Sequence, residues 1–237
     1  MWECRRSPFF EFRTWMLSIE SLIFITESPQ FVANSRERLA GVLFFVAVTQ
    51  FILCLTIAEV LYRGYSLSDM YVSDLGVGPS AVVFNSSVFT LGLLIAIGTY
   101  FLGHGPELKT LRILLFLMSL SAMGVGIVTK AFTLGHGAVS SAAFFFAGLS
   151  AIASGKALKR PLFFVGLVLG AMTIGALALF SIGMVESGSI SSTVAHNSVF
   201  YLGLGPGGME CMIIYPSLMW LALFGGQLTM RPATDIQ

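Results

Sequence analysis

The sequence predicts an all-α integral membrane protein, a bundle of six transmembrane helices with both termini on the cytoplasmic side (N-in/C-in). Three observations predict it. Only 11% of the residues are charged and 56% are hydrophobic, whereas soluble domains carry about 25% charged residues. So few charges cannot cover a water-exposed surface of this size, and bilayer lipid removes the need. The apolar residues also gather into six runs of near-spanning length, and the basic residues crowd the loops of one side.

The spans run from Leu39 to about Tyr62, Ser80 to Leu102, Leu111 to about Lys130, Ala138 to Ser154, Leu162 to Met184, and about Glu210 to Thr229. Each approaches the roughly 20 residues that a spanning helix needs. Lipid offers no partner for backbone N–H and C=O groups, so the spans are expected to be helices. Residues 1–38 precede them as an extension in which Arg5, Arg6 and Arg13 alternate with Phe9, Phe10, Phe12 and Trp15. Its apolar stretch from Trp15 to Ile25 is too short to cross and suits an interfacial helix. Residues 39–230 form the membrane domain, and 231–237 are a C-terminal tail.

Orientation follows from counting. Arg36, Arg38, Lys109, Arg112, Lys156, Lys159, Arg160 and Arg231 fall on one side, and only Arg63 and Lys130 on the other. The lysine and arginine bias places the richer side in the cytoplasm. Glu59, Asp69, Asp74, Glu186 and Glu210 all fall on the opposite, outer side. A formal net charge of +1 argues against nucleic acid as a partner and leaves membrane lipid as the expected one. Cys4, Cys54 and Cys211 are odd in number and far apart, so they read as small packing residues.

The stretch Tyr62–Pro79 stands out, because it is polar in a nearly charge-free sequence. Ser73 and Asp74 lie just before its proline, where a carboxylate suits capping of the helix that follows. Asn85 enters the second span about a turn below its start and needs a partner there. His136 and Ser140 share a helix face at the start of the fourth span, and Glu210 opens the sixth from the same side. An ionisable side chain costs roughly 2.5–3.5 kcal/mol at the centre of a membrane helix. These residues are therefore expected at one level near the outer rim. They form a polar network or a site for a lipid head group or small ligand. With His196 from the fifth-to-sixth loop, Asp74, His136 and Glu210 also make an alternative zinc set for a lipid hydrolase. A small transporter is a further alternative, on the recurrence of Leu75-Gly-Val-Gly-Pro79 as Leu202-Gly-Leu-Gly-Pro206. Gly166 and Gly170 make a GxxxG pair in the fifth span, expected to serve packing inside the chain.

The motifs Ser73-Asp74-Leu75-Gly76-Val77-Gly78-Pro79, Phe84-Asn85, His136-Gly137, Gly207-Gly208-Met209-Glu210 and Ile214-Tyr215-Pro216 follow in that order. In them the chain resembles the prokaryotic membrane family called domain of unknown function 998, over about Arg38 to Leu228. The resemblance implies a compact multi-helix membrane bundle and no established activity. It also implies an Arg after the glutamate of the sixth span, where this chain has Cys211, and it leaves the first 37 residues without a counterpart. A more distant likeness is to membrane hydrolases that include the alkaline ceramidases, which hold zinc with Ser, Asp and His. This chain lacks their paired-histidine helix.

Overall fold

The computed structural model describes residues 35–158, 160–191 and 194–230. The interfacial helix expected near 15–25, the tail 231–237, and Lys159 and Arg231 of the charge count lie outside these residues. Six long apolar helices are present: α1 (Ser35–Leu61), α2 (Ala81–Phe101), α3 (Lys109–Ile127), α4 (Thr133–Ala153), α5 (Leu162–Glu186) and α6 (Gly205–Met230). All six are long and apolar enough to cross a membrane. The expected all-α bundle of six spans is therefore what the chain forms.

Three helix starts differ from the sequence reading. Polar residues end a hydropathy count early at α1 and α4, and the Gly-Pro-Gly-Gly stretch reads as a turn before α6, while the backbone ladder continues through them. So α1 begins at Ser35 rather than Leu39, α4 at Thr133 rather than Ala138, and α6 at Gly205 rather than Glu210. His136 and Glu210 thereby lie inside helices. Pro206 is the second residue of α6, near a helix start where its missing N–H costs nothing. The segment 194–208 contains a short 3-10 segment (Val199–Tyr201), a left-handed Leu202 at φ 53°, and the start of α6.

The helices form a ring. Each packs on the next in sequence, α6 closes on α1, and α6 also touches α4 across the middle. Lipid gives apolar side chains little reason to turn inward, so close backbone approach and polar contacts hold such bundles. Both are visible. A methyl on Gly41 would lie 2.5 Å from the Gly225 carbonyl oxygen, so α1 and α6 touch backbone to backbone. One on Gly170 would lie 2.8 Å from the Gly148 oxygen, which makes the GxxxG face of α5 the surface that meets α4. Inside, the Trp220 indole N–H donates to Ser154 Oγ (2.9 Å), and Thr173 and Ser217 share a hydroxyl contact of 3.1 Å. Phe44, Phe224 and Trp220 stack in series along α1 and α6. Large apolar residues such as Leu53, Val82 and Ile113 face outward, the arrangement a lipid-facing surface requires.

Candidate functional site

The 62–80 loop folds back onto the bundle end where α1, α3 and α5 finish and α2, α4 and α6 begin. It starts with a turn in which the hydroxyls of Ser66 and Ser68 donate to Asp69 Oδ2 (2.7 and 3.0 Å). Those two bonds hold the Asp69 carboxyl below the usual carboxylate range. Next comes a 3-10 segment, Val72–Gly76, all of it buried. A buried backbone needs partners for its N–H groups, and two carboxylates supply them. Asp74 Oδ2 accepts from the Tyr71 N–H (2.8 Å). Glu210 Oε2, from the second turn of α6, accepts from the Val72 N–H (2.7 Å) and the Ser73 N–H (3.5 Å).

The other Asp74 oxygen pairs with the Lys130 ammonium, which comes from the turn between α3 and α4. Both side chains are buried, 6% exposed for Lys130 and 11% for Asp74. The same ammonium lies 4.2 Å from the centroid of the Tyr71 ring, a desolvated cation–π contact. Asp74 therefore does not cap α2. It closes its own 3-10 turn and balances Lys130, while Ser80 sits at the N-cap of α2 and donates its hydroxyl to the Leu75 carbonyl (2.9 Å). Asn85 finds its partner in the loop: its amide donates to the Gly76 carbonyl (2.8 Å).

Backbone contact completes the docking. The Gly208 N–H donates to the Leu67 carbonyl (3.0 Å). Gly205 and Gly207 lie so close to the backbones of Ser68 and Met70 that a side chain at either would overlap them. In the loop, Tyr65 buries a hydroxyl with no partner. Burial, and after it the nearby charge of Glu210, push its phenol well above the usual range.

Two cavities lie beneath the loop. The first, about 80 Å³, extends into the bundle between Phe51, Val88, Met118, Phe144 and Leu218. The second, about 60 Å³, lies under Tyr71, Lys130, Thr133 and Phe180. Ser73, His136, Ser140, Phe144 and Glu210 line both, so four of the five shared residues carry polar side chains. His136 Nδ1 lies 2.6 Å from the Val128 carbonyl oxygen. A carbonyl only accepts, so Nδ1 carries the hydrogen, and in the uncharged ring Nε2 keeps a bare lone pair. One turn along α4, Ser140 Oγ is buried without a hydrogen-bond partner.

Of the residues the sequence singled out, Ser73, Asp74, His136, Ser140 and Glu210 meet at this end of the bundle. Asn85 serves the loop and lines neither cavity. His196 is exposed in the 194–204 segment and does not join them. The four-residue zinc set is therefore not assembled. Asp74 is committed to Lys130 and the Tyr71 N–H, and no group of three or more His, Cys, Asp or Glu among the described residues is placed to share an ion. The two Leu-Gly-x-Gly-Pro stretches also fold differently, since Gly203 and Gly205 have positive φ and Gly76 and Gly78 do not. Lys130 is the participant the sequence reading missed, having counted it only as a topological charge. A lone lysine among the few charges at this end of the bundle was the available signal.

The chain matches the family described as Protein of unknown function (DUF998) over residues 45–226. No curated protein and no solved structure matches it. The matched span runs from α1 into α6 and takes in the docked loop, Lys130, His136 and Glu210. The chain belongs to the DUF998 family.

Proposed function

We propose that this multi-pass membrane protein binds a lipid head group or small polar ligand at the loop end of its bundle. The polar part would rest against His136, Ser140 and Glu210, with an apolar portion in the first cavity. The observation that carries this reading is the group of polar side chains shared by two cavities, which includes a buried Ser140 hydroxyl with no partner. A buried polar atom without a partner costs about 1–3 kcal/mol, and a ligand recovers that cost. The loop end is taken as the outer face of the cell membrane, on the asymmetry of lysine and arginine.

A second reading has its own support. Asp74 and Glu210 hold the loop through three hydrogen bonds and one ion pair, so the polar network also fixes the fold. Ser140 separates the two readings, because it makes no contact with the loop backbone. In Ser140→Ala the melting temperature is expected to hold or rise. Native mass spectrometry of the detergent-purified variant is expected to show loss of a lipid or small molecule that the parent retains. An unchanged set of bound species would leave only the fold-fixing role. The orientation is tested by fusing alkaline phosphatase after Lys109. The fusion is expected to be inactive, and activity would reverse the topology.

A further inference from the structure

The geometry points to a primary ammonium group as the ligand's polar part. This inference rests on the binding reading above and specifies its chemistry. The argument is a count of donors and acceptors at the boundary the two cavities share. His136 Nδ1 is occupied by the Val128 carbonyl, so the uncharged ring offers Nε2 as an acceptor. Glu210 uses Oε2 for the Val72 and Ser73 N–H groups. Its other oxygen makes no hydrogen bond to the protein and can only accept while the group is ionised. Ser140 Oγ, unpartnered, accepts as readily as it donates. Of these three groups the Glu210 oxygen and His136 Nε2 can only accept, and the Lys130 ammonium nearby is committed to Asp74 and the Tyr71 ring.

Charge points the same way. Asp74 and Lys130 form a buried ion pair and cancel. Glu210, buried at 7% exposure, lies near Lys130 without forming an ion pair with it. A buried carboxylate without a counter-charge is costly, and a ligand cation supplies one. A primary ammonium brings three N–H donors, one each for Glu210, His136 Nε2 and Ser140. An anionic group meets the reverse, with Glu210 repelling it and Lys130 already engaged. The first cavity, about 80 Å³, is roughly half the ~150 Å³ of an engineered cavity that takes benzene. It suits a short apolar tail.

The test uses the full chain in a nonionic detergent, titrated at neutral pH with n-butylamine, n-butanol and butyltrimethylammonium. Binding is read by isothermal titration calorimetry and by the melting temperature. The amine is expected to bind saturably and at least about tenfold more tightly than the alcohol, since hydrogen bonds to charged groups are the stronger ones. The quaternary ion, which has no N–H, is expected to bind more weakly than the amine. Glu210→Gln keeps an acceptor for the Val72 N–H but removes the charge, so it is expected to fold and to lose the preference for amine over alcohol. Ser140→Ala is expected to weaken the amine several-fold. Equal binding of amine and alcohol, or an undiminished preference in Glu210→Gln, overturns the ammonium assignment and leaves the binding reading standing. If no probe binds and no species co-purifies, both fall.

Discussion

Lys130→Ala is expected to destabilise the protein by about 3–5 kcal/mol, the usual cost of leaving one member of a buried ion pair alone. The mechanism lies in the surroundings of Asp74. Its carboxylate is buried at the base of the loop, with one oxygen on the Tyr71 N–H and the other on the Lys130 ammonium. Without Lys130, the loop must carry an uncompensated charge or open to water, and the Tyr71 ring loses its cation. The measurement is thermal or denaturant unfolding of the purified variant in detergent. The double variant Asp74→Asn/Lys130→Met should recover most of the loss, because the amide still accepts from Tyr71 and no buried charge remains. A double-mutant cycle then gives the coupling directly. If Lys130→Ala melts like the parent, the pair is not holding the loop.

Gly205→Ala is expected to be the other severe change. Gly205 sits at φ +75°, where an L-residue costs roughly 1–2 kcal/mol. An added methyl would also run into the backbone of Ser68, and backbone cannot rotate aside as a side chain can. Overpacking of that kind costs about 1–3 kcal/mol. The expected result is a loop lifted from the start of α6, seen as faster amide exchange or protease cleavage between residues 62 and 80. Gly226→Ala is the control. It lies in the same helix with nothing within 4 Å of the added carbon, and it is expected to be neutral or slightly stabilising.

How far the sequence revealed this arrangement depends on the kind of interaction. The six helices were legible because the bilayer imposes length and hydropathy on each span separately. The helix starts were not, since Thr133, His136 and Gly205–Met209 look like loop to a hydropathy count and continue the helical ladder in fact. The convergence of Asp74, His136 and Glu210 was legible from depth alone, because polar groups in a membrane protein collect near one rim. Which of them bond to which was not. Asp74 was expected to cap α2, but its distance along the chain from Lys130 hid the partner that uses its charge. His196 was grouped with them on depth too, and depth does not fix where a loop residue points.

The bond from Glu210 to the Val72 N–H joins residues 138 positions apart. Chains emerge N-terminus first, so the first loop is exposed long before its anchor on the last helix has been made. Until that helix enters the bilayer, the amides of Val72 and Ser73 must be satisfied by water or by some attendant factor. The site is therefore the last part of the molecule to mature. A chain stopped short of Gly205 would lack Glu210 and leave the first loop without the carboxylate that fastens it.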